Sequence, residues 1–141
     1  MRLVLNKENQ IIQYSFSIEE SHKQFVKIRV DLPSSVAFNE IKIPVWRPGR
    51  YEIGNFAKNI KDFNIFNEKG RRVPFFKKNN STWVLKESSN NSLRVEYLYY
   101  AKDLNAGSTY LDDHLLYVNP VNCCIYVDEL YDFKSQIKLN I

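Results

Sequence analysis

The side chains best suited to chemistry in this 141-residue sequence are few and badly spaced for it. Hydrolytic zinc chemistry asks for a pattern such as His-Glu-x-x-His, two ligands one helical turn apart with a carboxylate base between them. The two histidines, His22 and His114, stand far apart. Cys123 and Cys124 are neighbours, whereas the thiolates of tetrahedral metal sites are usually separated by two or more residues. Adjacent strand residues also point to opposite faces, so a disulfide between these two would be strained. The pair therefore reads as two ordinary strand cysteines, with no metal ligands and no catalytic residue assigned in the chain. Neither a Gly-x-Ser-x-Gly elbow nor a phosphate-cradling glycine loop is present. Asp112-Asp113 is a carboxylate pair suited to acid–base work, but such neighbours more often cap a turn or face water. Asn79-Asn80-Ser81-Thr82 and Asn90-Asn91-Ser92 match the glycosylation pattern and, without a secretory signal, read as loops.

One stretch has a different character. In Ile43-Pro44-Val45-Trp46-Arg47-Pro48-Gly49-Arg50-Tyr51, two prolines and a glycine bracket a tryptophan. Proline fixes φ and removes a donor, and glycine reaches conformations that other residues resist, so the segment is a stiff corner packed by Trp46.

The elements that must hold these residues are mostly strands. Ile12, Tyr14, Phe16 and Ile18 alternate with largely polar neighbours, as do Val26, Ile28, Val30 and Leu32. Ile41, Ile43 and Val45 predict a third strand, which Pro44 confines to an edge or a bulge. Phe63 and Ile65 lead into the turn Asn67-Glu68-Lys69-Gly70, and Val73 and Phe75 begin a return strand. Trp83 and Leu85, then Leu93, Val95, Tyr97 and Tyr99, continue the rhythm, a further strand starts near Asn122, and Ile137, Leu139 and Ile141 close the chain. Ile53, Phe56, Ala57 and Ile60 fit one face of a two-turn helix, or a loop. The expectation is an all-β, two-sheet β-sandwich of about nine mostly antiparallel strands, with at most one short helix, forming a single domain over residues 1–141.

Composition agrees with a folded chain: 44% hydrophobic and 14% aromatic, with nine Phe, nine Tyr and two Trp against four Gly. The net charge of +4 is mild, and Arg71-Arg72 with Lys77-Lys78 lie beside turn signals instead of forming a continuous basic face, so no nucleic-acid partner is expected. Met1 to Asn6 lack the apolar run of a signal peptide and no segment is long and apolar enough to span a bilayer, which predicts a cytoplasmic protein with no membrane partner.

The Pro-Trp corner also resembles a known family. The N-terminal domain of the glycyl aminopeptidases, gluzincin zinc metallopeptidases often carrying a PDZ domain, has a Leu-Pro-x-Trp-x-Pro-Gly-Ser-Tyr motif continuing into Ile-Arg-Asp-Phe-Ala. Ile43 to Tyr51, followed by Glu52-Ile53-Gly54-Asn55-Phe56-Ala57, is similar to it. The family's Lys-x-x-x-Thr-Trp segment is matched by Lys78 to Trp83, and its Val-x-Tyr-x-Val-Tyr-Ala strand resembles Val95 to Ala101. Its Leu-Asp-Asp leading to Phe-Phe-Asn-Gly resembles Leu111 to Pro120. Gly54 and Asn55 replace Arg-Asp, and Pro120 replaces Gly.

The resemblance implies a non-catalytic domain that packs on a catalytic domain lying beyond Ile141 and helps form the substrate cleft. Zinc would then belong to the parent enzyme and no cofactor to this chain; the partners would be the missing catalytic domain and the parent's peptide substrate. Trp46, Pro48, Gly49, Tyr51, Phe56 and Trp83 would be structural motif residues. Asn119 in the Phe-Asn-Gly-like turn would face the substrate's amino group, with Asp112 and Tyr117 as the other candidates on this loop. An apolar docking surface is expected, able to draw two copies into a homodimer. The alternative is a stand-alone β-sandwich module that binds peptide or carbohydrate through Tyr99, Tyr100, Tyr110 and Tyr117.

Overall fold

Alternation becomes strand wherever one row of side chains finds a second sheet to cover it. The computed structural model describes residues 10–18, 21–34, 36–46, 54–103 and 108–140. The chain is mostly β, with ten strands among these residues: β1 (Ile11–Ile18), β2 (Phe25–Leu32), β3 (Phe38–Lys42), β4 (Ile60–Asn67), β5 (Phe75–Asn79), β6 (Thr82–Ser89), β7 (Leu93–Tyr100), β8 (Tyr110–Leu111), β9 (Leu116–Tyr117) and β10 (Lys134–Asn140). They form a five-stranded sheet in the order β10-β1-β2-β7-β4, a three-stranded sheet in the order β3-β6-β5, and the ribbon β8-β9. Pairing is antiparallel throughout except between β1 and β10, which run parallel.

In the five-stranded sheet Phe16, Val26, Ile28, Val30, Val95 and Tyr97 form a buried inner row, and Lys27, Arg29, Asp31, Arg94 and Glu96 alternate with them on the outer face. After β4 the chain turns at Asn67–Gly70. Asn67 Oδ1 accepts from the N–H groups of Lys69 and Arg71 at 2.9 and 3.0 Å, and Gly70 takes φ +77°, which other residues resist. The return segment pairs with β4 only briefly, through Phe66 and Arg72, before β5 joins the second sheet. The two sheets meet at Phe63. Its ring stacks on Trp83 with centroids 4.3 Å apart and planes 6° apart, and it contacts Phe75 at 5.3 Å and Tyr97 at 5.8 Å. Trp83 is 3% exposed, and burying a side chain of this size stabilises by about 2–3 kcal/mol.

Two local expectations are corrected. The third strand runs over Phe38–Lys42, not Ile41 to Val45, because Pro44 has no N–H to offer; it lies at a sheet edge and its register shifts between Phe38 and Glu40. The strand expected near Asn122 is instead one turn of α-helix, α1 (Pro120–Cys123), with Pro120 in its first turn and Asn119 as N-cap. Only after it does the chain extend, so that Tyr126 exchanges backbone hydrogen bonds of 2.9 and 2.7 Å with Lys42 at the edge of β3. Of the helical face expected from Ile53 to Ile60, Ile53 lies outside the described residues, Phe56–Asn59 form a 3₁₀ turn, and Ile60 already opens β4. Among the described residues no helix is long and apolar enough to cross a membrane.

Candidate functional site

The loop that carries the expected site residues is a narrow ribbon standing on α1. Tyr110 pairs with Tyr117 and Leu111 with Leu116, and Asp112 closes the connection between them. Its Oδ1 accepts the backbone N–H groups of His114 and Leu115, both at 2.7 Å. Its Oδ2 accepts the Tyr110 hydroxyl at 2.9 Å. The His114 amide bond, followed by the Tyr110 hydroxyl, holds the Asp112 carboxyl below the usual carboxylate range. The same hydrogen bond raises the Tyr110 hydroxyl above its usual value.

Asn119 sits at the other foot of the ribbon. Its side-chain oxygen accepts from Val121 N at 3.3 Å, capping α1, and its own N–H donates to Thr109 Oγ1 at 3.0 Å. The Thr109 hydroxyl in turn donates to Asn122 Oδ1 at 2.7 Å. Thr109 and Asn122 are 2% and 1% exposed, so this polar pair fixes the foot of the ribbon in a dry setting where each group depends on its partner.

The platform beneath is tied to the sandwich by two tyrosines of the inner row. Tyr14 donates to the Ile125 carbonyl at 2.9 Å. Tyr97 donates to the Cys123 carbonyl and accepts from Ile125 N at 3.3 Å. Burial, above all, raises both hydroxyls, so both stay neutral donors at ordinary pH. Gln24, at φ 59°, donates from its side chain to the Leu111 carbonyl at 2.9 Å and joins the turn end of the ribbon to the sheet. Thr109, Tyr14 and Tyr97 were not singled out from sequence as part of the site, and Asn122 was named only as the start of a strand facing it. The usable signal was a phenol in each of two apolar rows, since a buried hydroxyl needs a partner.

The remaining expected residues scatter. Tyr117 is 40% exposed on the ribbon. Phe56 is half-buried in its 3₁₀ turn; a Cβ at Gly54 would come within 2.5 Å of its ring, which gives glycine a steric reason at a position where the resembled motif has arginine. Trp83 is in the core and Trp46 is 48% exposed. Pro48, Gly49 and Tyr51 lie outside the described residues. The aromatic set of the binding-module reading does not share a surface. Tyr99 is buried, with Asn59 Nδ2 donating to its hydroxyl at 3.3 Å, and burial pushes its pKa up to about 12. Tyr100, its neighbour on β7, stacks on Phe25 on the opposite face.

Nothing among the described residues assembles a metal centre: no three His, Cys, Asp or Glu side chains are grouped to hold an ion. His22 lies in the 3₁₀ turn Ser21–Lys23 and His114 in the Asp112 turn. Both cysteines are free thiols, and the Cys124 thiol is raised by its hydrogen bond with Cys123 and by burial, opposite to what a ligand requires. These donors do not fit zinc.

Residues 13–141 match the family model described as the peptidase M61 N-terminal domain. No curated protein sequence matches significantly. Among solved structures, the chain is similar to an aminopeptidase N family protein from Idiomarina loihiensis, with a TM-score of 0.83 and 26% identity. That match covers 92% of this chain and 22% of the other. An M1 zinc metallopeptidase variant from Deinococcus radiodurans matches at a TM-score of 0.41 and 10% identity, over 76% of this chain and 24% of that one.

Proposed function

The chain belongs to the peptidase M61 N-terminal domain family, and we propose that it serves as the non-catalytic N-terminal domain of a glycyl-aminopeptidase-like zinc metallopeptidase. In this reading residues 1–141 form one domain that packs against the catalytic domain and helps wall the substrate cleft. The observation that carries it is the family match over residues 13–141. It is supported by the similarity to the Idiomarina loihiensis protein, of whose chain this one covers 22%.

The ribbon then has a chemical role. Asp112 keeps its carboxylate ionised at neutral pH and can face a substrate ammonium, while the Asn119 amide oxygen has a second lone pair beyond the one that caps α1. Tyr117 offers an exposed ring beside them. Hydrogen-bonded feet, instead of a floppy loop, suit recognition, since a group held in place loses little freedom on binding.

The test is to express the full natural reading frame, measure zinc, and assay glycyl and alanyl chromogenic substrates against the isolated chain. We expect one zinc per full-length chain, in a His-Glu-x-x-His segment, with hydrolysis, and neither in residues 1–141 alone. A natural stop codon directly after Ile141, or zinc-dependent turnover by the isolated chain, would overturn the reading.

A further inference from the structure

The last strand is built like a half-buried strand and is not buried. In β10 the parallel register sets Ile137 beside Tyr14 and Leu139 beside Phe16, so both project from the same face as the buried inner row. Lys138 lies beside Ser15 and Asn140 beside Ser17, on the polar outer face. Tyr14 and Phe16 are 9% and 0% exposed, yet Ile137 and Leu139, one strand away, are 53% and 54% exposed. Among the described residues, the covering layer stops between the two strands. The segment after α1 reaches Tyr14, whose hydroxyl holds the Ile125 carbonyl, while every residue of β10 is exposed. The outer backbone edge of β10 also closes the sheet order on that side. A strand edge beside uncovered apolar side chains is a template for another segment.

We propose that the Ile137–Leu139 row and the outer edge of β10 are the seat on which the catalytic domain of the same polypeptide packs. This deepens the function proposed above and rests on it. Three observations choose this occupant. In the family this domain is the N-terminal one, so the rest of a full-length chain follows the end of β10. The similar Idiomarina loihiensis protein has most of its chain outside the part that this chain covers. A neighbour on the same polypeptide is present at a high effective concentration and needs little buried area to stay docked. A second copy, by contrast, must bury roughly 800 Å² per partner, far more than two half-exposed side chains supply.

Hydroxyl-radical footprinting of the full-length protein, with zinc and peptidase activity measured on the same sample, tests the seat. The reference is the same peptide in urea-unfolded chain. We expect the Lys134–Asn140 peptide to lose labelling to the level of the peptide carrying Val95 and Tyr97, unchanged on dilution. Ile137→Asp with Leu139→Asp should restore labelling and split a shared thermal transition into two. If Ile137 and Leu139 label as in unfolded chain while zinc and activity are present, the seat is wrong and the functional reading stands. Protection that disappears on dilution assigns the face to a second copy and overturns the proposal. A reading frame with no peptidase domain removes the functional reading and this inference together.

Discussion

The seam between the sheets centres on a half-buried ring and the foot of the ribbon on two buried polar side chains, and the two are held by opposite means. At the seam Phe63 lies flat on Trp83 at 4.3 Å and touches Phe75 and Tyr97, all without direction-dependent bonds among the four rings. At the foot, Thr109 and Asn122 are buried, and their position follows from a chain of hydrogen bonds through Asn119 to the cap of α1. Apolar contact area is non-directional and tolerates small shifts, whereas a dry polar network fixes each partner or fails. The seam therefore supplies stability and the foot supplies position. Tyr97 belongs to both, with its ring in the seam and its hydroxyl on the last residue of α1 and on Ile125 behind it.

Truncating the seam should have the largest effect. Trp83→Ala removes the surface on which Phe63 stacks and should cost about 3–5 kcal/mol, read as a shift of the denaturant midpoint at unchanged slope. A wild-type midpoint would mean that the stack does not carry the contact between sheets. Tyr97→Phe separates the two roles of one side chain. The ring stays, while the Cys123 carbonyl loses its donor and Ile125 N an acceptor, for an expected loss of about 1–3 kcal/mol. Amide exchange should rise at Ile125 and in α1 but not at Val95. Equal acceleration at both would dissolve the distinction between seam and foot.

The difference also governs what could be read from sequence. Period-two rows such as Val26-Ile28-Val30 and Val95-Tyr97-Tyr99 declare strand, face and burial at once, because an apolar row needs only some covering layer. The Asn67–Gly70 turn was legible for the same local reason: it is satisfied within its own residues. The segment from Asn122 was misread because Cys123, Ile125 and Val127 alternate like a strand, and Pro120 behind an Asn outweighs that pattern for one turn. The site residues Asp112, Tyr117 and Asn119 came from a family resemblance, not from periodicity. Thr109, which meets Asn122 across the foot, lies in a loop where no periodic signal marks a partner. The exposure of Ile137 and Leu139 was equally invisible, since their alternation is that of a covered strand.

A smaller effect is expected at the cap. In the full-length protein Asn119→Ala removes the oxygen that accepts from Val121 N and should cost about 1 kcal/mol. The proposed substrate contact predicts a raised KM for glycyl substrates with kcat little changed. Asn119→Ser, able to cap but not to supply the amide, should recover the stability and not the KM. Recovery of both would make Asn119 a cap alone, leaving Asp112 and Tyr117 as the candidates on the ribbon.

Asp112 should give the smallest effect and a specific one, because it is exposed enough that solvent screens its charge, yet it organises the turn through three accepted hydrogen bonds. Its carboxyl in the folded chain lies below the ordinary value, chiefly through the His114 amide. The unfolded chain therefore binds this proton at a higher pH than the folded chain does. The stabilisation is complete above the ordinary Asp range and is lost as pH falls through the folded value. Asp112→Asn keeps an oxygen for the amides and cannot titrate, so stability at neutral pH should change little while the acid limb of the stability curve becomes shallower. Tyr110 provides an independent reading, since its raised hydroxyl owes most to the bond with Asp112. Ultraviolet titration of the variant should show that phenol ionising at lower pH than in the wild type. If the acid limb and the Tyr110 titration both stay as in the wild type, Asp112 does not close the turn in solution, and the ribbon loses the fixed geometry that sets it apart from the seam.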